Sequence, residues 1–181
     1  MRLRSLVSLP LAVGCLVLAA PAAQAACAGE DDVPTAATRA QAQDAVLCLI
    51  NEERRERGLR SLRDNDRLQR AATRHSSHMV DDRFFEHTTP NGTTLAERAR
   101  SAGYARAGVS WSVGENLAWG TGSRATPRGL VRAWMRSAGH KANILEASYR
   151  DLGVGIAIGA PVSVSGGAAG ATCTANFGVR R

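Results

Sequence analysis

Apolar residues recur at helical spacing through the first half of the chain, and alternation takes over towards its end. Ala42, Val46, Leu49 and Ile50 fall on one stripe, which predicts a helix from about Thr38 to Arg57, stopped by Gly58. Leu68, Ala72, His75 and Met79 follow at intervals of four, three and four. They predict a second helix opening near Asp64 to Asp66, where acidic residues suit a cap. Thr94 with Glu97 is a capping box for a third helix that ends near Gly103. Thr126-Pro127 is a cap followed by proline at the first helical position, and predicts a fourth helix with Leu130, Val131, Trp134 and Ala138 inward. Strand patterns lie later. Val109 to Leu117 reads as extended, Leu152, Val154, Ile156 and Ile158 alternate onto one face, and Ala171 to Val179 is a last run. Gly159 to Gly170, with Pro161, Gly166 and Gly167, reads as a loop or loose hairpin. Helices early and strands late argue for an α+β fold with an antiparallel sheet rather than alternating units.

The first 25 residues stand outside this pattern. Arg2 and Arg4 precede an apolar run from Leu6 to Ala20, and Ala23-Gln24-Ala25 supplies small residues for cleavage. Residues 1–25 therefore read as a signal peptide, 26–37 as a polar leader and 38–181 as a single domain of a secreted, extracellular protein. The apolar run is too short for a membrane span. A lipid anchor on Cys27 is the rival reading, but the usual aliphatic residue three positions earlier is missing. Loss of the signal leaves Cys27, Cys48 and Cys173 in an oxidising compartment. Cys27 lies in the loose leader and Cys48 in the first helix, so Cys27–Cys48 is the favoured disulfide, with Cys48–Cys173 the alternative.

Charge changes this picture little. The formal net charge of +7 becomes +5 once Arg2 and Arg4 leave, and Lys141 is the one lysine among 23 basic residues. Arg54, Arg55, Arg57, Arg60, Arg63, Arg67, Arg70 and Arg74 alternate with Glu52, Glu53, Glu56, Asp64 and Asp66, which reads as solvated helix faces. No aromatic platform accompanies them, so no nucleic-acid partner is expected. A monomer is expected.

Candidate chemistry rests on four histidines and one carboxylate. His75 and His78 lie on the second helix, His87 follows Phe84-Phe85-Glu86, and His140 follows Ser137-Ala138-Gly139. Glu115 sits in Gly114-Glu115-Asn116-Leu117-Ala118-Trp119-Gly120, where a charge among apolar and small residues demands a donor. Two histidines and a carboxylate suit a divalent metal completed by water, or a hydrogen-bonded network. The HExxH, zinc-ribbon, GxSxG and phosphate-loop patterns are all missing. His75 reads as a core histidine and His78 as solvent-facing. Trp119 and Trp134 read as core anchors.

Five segments then carry a resemblance. They are CLINEERRERGLRSL at Cys48 to Leu62, AATRHSSHM at Ala71 to Met79, FFEHTTPNG at Phe84 to Gly92, GENLAWG at Gly114 to Gly120 and WMRSAGHKANIL at Trp134 to Leu145. YRDLGVGIAIG at Tyr149 to Gly159 and NFG at Asn176 to Gly178 follow. In this order the chain resembles the CAP superfamily of cysteine-rich secretory proteins, antigen 5 and pathogenesis-related proteins, in its bacterial secreted SCP-domain branch. The resemblance implies a three-layer α-β-α sandwich with a central antiparallel sheet. It implies a cleft in which two histidines and two glutamates can hold a divalent metal, zinc first. By motif these map to His87, Glu115 and His140, while the second glutamate falls on Ser137, so one anionic ligand is missing and metal affinity should be weak. Three functions follow as expectations. The first is a non-enzymatic binding protein for an extracellular lipid, cell-envelope component or protein. The second is a metal-dependent hydrolase using His87, Glu115 and His140, and the third is a scaffold with a structural network.

Overall fold

The protein is described here from a computed structural model covering residues 27–164 and 169–181. The signal peptide expected at 1–25 lies outside the described residues, as do Gly166 and Gly167 of the expected loop. The elements are α1 (Arg39–Arg55), β1 (Arg63–Asp64), α2 (Asp66–Asp81), α3 (Leu95–Ser101), β2 (Trp111–Thr121), α4 (Pro127–Met135), α5 (Ala138–Leu145), β3 (Asp151–Ile158) and β4 (Gly170–Arg180), with a short 3-10 turn at Gly122–Arg124. The caps of α3 and α4 are those the sequence implies, while α2 is capped by Asn65 rather than by its acidic neighbours. Asn65 accepts from Arg67 and Leu68 at the start of α2, Thr94 and Glu97 form the capping box of α3, and Thr126 caps α4 ahead of Pro127.

The sheet order is β1-β3-β4-β2. Both β3 and β2 pair antiparallel with β4, as expected, but the two-residue β1 joins β3 in parallel with Arg63 opposite Asp151. This parallel edge, bonded through Arg63 N to Arg150 O and Asn65 N to Leu152 O (both 2.9 Å), feeds the chain straight into α2.

The two sheet faces differ in chemistry. One presents Leu152, Val154, Ile156, Cys173, Ala175 and Phe177, which form the main core with Val46 and Ile50 of α1 and Leu130 and Trp134 of α4. The other presents Glu115, Thr174, Asn176, Gly153 and Gly155 towards α2 and α3, and it is polar and closely packed. A β-carbon at Gly153 would overlap the backbone of Leu68 and Gln69, and one at Gly155 would overlap Ala72 and Thr73. Glycine therefore lets α2 lie directly on β3. Helices cover both faces, giving the α-β-α layering of an α+β fold.

Three expectations are corrected. The fourth helix is two: α4 ends at Met135, Ser137 takes an extended backbone, and α5 begins at Ala138, which is exposed rather than inward. Ser137 and Gly139 are weak helix formers, so the chain turns there and His140 falls inside a helix. Trp119 is 37% exposed rather than a core anchor, because it lies near the end of edge strand β2. Arg54, read as part of a solvated face, is fully buried and donates to the carbonyls of Arg60, Ile144 and Glu146. It thereby satisfies acceptors at the end of α5 that the helix itself leaves without donors.

Cys27 and Cys48 form the favoured disulfide, with Cys173 free and buried in the core. No helix of the described residues is long and apolar enough to cross a membrane.

Candidate functional site

The sequence-predicted residues gather at β2, the free edge of the sheet. Glu115 lies inside this strand, opposite Asn176 of β4, and its side chain is 2% exposed. Three donors converge on its carboxylate. His87 Nδ1 lies 2.9 Å from Oε1, and Arg98 Nη2 lies 2.7 Å from Oε2. Asn176, with its amide turned to suit both neighbours, donates from Nδ2 to Oε2 at 3.0 Å and accepts from Ala72 N at 3.2 Å. A buried carboxylate met by a guanidinium, an imidazole and an amide is fully compensated, and both oxygens are engaged.

Arg98 is the residue that the sequence did not reveal. It is 6% exposed, and its Nη1 also donates to the carbonyls of His87 (2.9 Å) and Thr93 (3.1 Å). One side chain thus ties the 87–93 loop to α3 and to Glu115. Nothing in the local pattern sets it apart from the chain's other arginines. Asn176 did carry a signal, as the asparagine of the NFG segment.

His87 itself is exposed, with its side chain 58% accessible, and Glu115 holds one ring nitrogen. The hydrogen bond to Glu115 raises the His87 pKa above the ordinary histidine value, outweighing burial. When the ring is neutral, donation from Nδ1 leaves Nε2 as the lone-pair nitrogen.

His140 arrives from the opposite layer. Its carbonyl accepts from Asn116 Nδ2 at 2.9 Å, and Asn143 of the same helix donates to Glu115 O (3.2 Å) and Asn116 Oδ1 (2.9 Å). The two asparagines therefore tie α5 to the free edge of β2. Burial lowers the His140 pKa, and the charge of neighbouring His87 lowers it further. His87 and His140 thus stand within electrostatic reach of each other. The structure does not bring all three residues into one ligand-sized cluster. Among the described residues, nitrogens from both histidines and a Glu115 oxygen do not all lie within 4.8 Å of one another. Ser137 begins the turn into α5, is half-buried and makes no side-chain cap bond.

His75 is the core histidine that was expected, fully buried beneath the 84–87 segment. Its Nε2 donates to Glu86 O at 3.0 Å, leaving Nδ1 buried without a partner. A proton there would be unsolvated, so burial drives the pKa down to about 4.

Comparison with known proteins points one way. The model of the family described as CAP, the cysteine-rich secretory protein family, matches residues 47–177. The Bacillus subtilis protein YkwD, described as uncharacterized, is 35% identical over 111 residues, which is 61% of this chain and 40% of YkwD. An extracellular SCP-domain protein from Bacillus anthracis superposes with a TM-score of 0.62 at 24% identity, over 80% of this chain and 43% of its own. An outer surface protein of Borrelia burgdorferi superposes with a TM-score of 0.58 at 21% identity, over 75% of this chain and 90% of its own. The two structural likenesses bear on the fold. The chain spans about two fifths of YkwD and of the Bacillus anthracis protein.

Proposed function

Because the chain belongs to the cysteine-rich secretory protein family, we propose that it is a secreted, non-enzymatic binding protein that engages a cell-envelope component through the β2-edge cleft, where His87 and His140 hold a divalent cation weakly. A lipid or another protein is the alternative partner. The observation that carries this reading is the Glu115–His87 pair. A buried carboxylate fixes one nitrogen of an exposed imidazole and leaves the other without a hydrogen bond among the described residues. This is the arrangement in which a carboxylate behind a histidine orients it as a metal ligand.

The donor set fits a borderline cation such as zinc. His87 Nε2 and the His140 ring would be the nitrogen donors, and by motif the second carboxylate that tight binding wants falls on Ser137. Glu115 acts behind His87 and not as a ligand, since its oxygens are taken by His87, Arg98 and Asn176. A bound cation would supply a directional charge for an oxygen or nitrogen of the partner. The hydrolase reading is weaker for the same reason: the carboxylate it needs as a general base is already saturated. Secretion is supported by the signal-like N-terminal sequence, the disulfide and the extracellular or outer-surface descriptions of the structural relatives.

Co-sedimentation of the purified protein with isolated bacterial envelopes, with zinc or with chelator, tests the reading. Zinc-enhanced sedimentation that His87→Ala abolishes is the expected result. Sedimentation with lipid vesicles alone would transfer the role to lipid. The absence of sedimentation under every condition would contradict envelope binding.

A further inference from the structure

Four arginines from four separate stretches of the chain surround one hollow on the β1 side of the sheet. Arg63 lies in β1, Arg106 in the loop after α3, Arg150 just before β3 and Arg180 at the end of β4. With Val109 and Asp151 they line a hollow of about 320 Å³. It shares no residue with the Glu115 site, and β4 lies between Asp151 of β3 and Glu115 of β2.

One carboxylate answers four guanidiniums. Asp151 is 3% exposed and both its oxygens are in use: Oδ1 accepts from Arg63 Nη2 at 3.0 Å and Oδ2 from the Tyr104 hydroxyl at 2.9 Å. Among the described residues no other carboxylate lines the hollow, so its lining carries an excess of three positive charges. Bringing like charges together by tertiary folding is unfavourable, and the repulsion is relieved when an anion binds between them.

The fold also holds these side chains in place. Arg63 is fixed by Asp151. Nη1 of Arg150 donates to the carbonyls of Ala147 (2.7 Å), Ser148 (3.1 Å) and Tyr149 (2.7 Å). The Arg180 guanidinium lies 4.8 Å above the ring of fully buried Tyr104. Ordering long side chains is a main cost of binding, and three of the four already make contacts that limit their freedom. Arg106 is exposed and makes no ion pair or side-chain hydrogen bond among the described residues.

We propose that this hollow binds a phosphate monoester. A carboxylate ligand brings one charge and two oxygens. A monoester brings nearly two charges and three terminal oxygens, which match an excess of three cations and the planar forks of several guanidiniums. Val109, 38% exposed at the rim, meets the organic part of the ester. The site stands whether or not the β2-edge cleft binds a cation.

Calorimetric titration of the protein with glycerol phosphate at constant ionic strength is the test, beside sedimentation with phosphatidylcholine vesicles containing either phosphatidic acid or phosphatidylglycerol. Saturable binding of the soluble ester is expected, weakened about tenfold or more in Arg106→Glu and to a lesser degree in the milder Arg106→Gln. Arg132→Glu on distant α4 should leave it unchanged. Binding to phosphatidic acid vesicles alone would assign the same monoester chemistry to a lipid headgroup. Equal binding to phosphatidylglycerol, equal weakening by Arg132→Glu, or no saturable binding in any arm would overturn the proposal.

Discussion

Glu115 is the residue on which the candidate site turns, because burying a carboxylate is tolerated only where donors compensate it. Removing Arg98 leaves that charge half-compensated, a change that typically costs about 3 kcal/mol or more. Arg98→Met should therefore lower the unfolding free energy by that order in denaturant titration. It should also raise the His87 pKa further, because the charge of Arg98 now lowers it; NMR titration of the ring reads that shift, and a fall would contradict the assignment. His75 makes a separate prediction. Its folded pKa of about 4 lies below the ordinary 6.5, so the unfolded chain binds more protons between those values and stability falls as pH drops through that window. The loss attributable to His75 is about 3 kcal/mol. His75→Gln keeps a donor for Glu86 O but cannot charge, so the variant should lose most of the slope between pH 6.5 and 4. An unchanged slope would assign it to other groups. His75 was legible as a core histidine from its helical face and Glu115 as a buried carboxylate in need of donors, while His87 and His140 were singled out by the family resemblance. Arg98 was not, since its role depends on a tertiary contact with Glu115 in β2, 17 residues away.

At the scale of elements, local signals were legible where local chemistry decides. The capping box at Thr94 and the cap at Thr126 lie where the sequence places them. The split between α4 and α5 was missed, because the pattern through Ala138 continues at helical spacing while Ser137 breaks the backbone. The parallel pairing of β1 was missed because two residues carry no periodicity. The close approach of α2 to β3 was half visible: Gly153 and Gly155 alternate with the apolar residues of the strand, but nothing in the sequence shows what lies against them. Gly155→Ala should destabilise the protein by about 2–3 kcal/mol, since its β-carbon meets the backbone of α2. Gly139→Ala in α5 meets nothing within 4 Å and should stabilise by about 0.5–1 kcal/mol. Thermal denaturation of the pair checks both signs, and equal behaviour would contradict the contrast.

For the whole molecule, one covalent constraint stands out among the described residues, the disulfide. The Cys27–Cys48 link closes a separation of 21 residues and ties the leader to α1, a constraint worth about 3 kcal/mol of stability. Reduction should lower stability by that order, while Cys173, fully buried and with its thiol pKa pushed up by burial, should resist alkylation until the protein unfolds. Rapid alkylation of Cys173 in the native state would show that the core opens there. If His87 and His140 share one cation site across the β2 edge, as proposed above, the protein must bind zinc there. Calorimetric titration with zinc, slightly above neutral pH, tests it most directly. Weak binding is expected in the native protein, about tenfold tighter binding in Ser137→Glu, none in His87→Ala, and loss of the signal as acid protonates the histidines. No zinc binding by either the native protein or Ser137→Glu would contradict it.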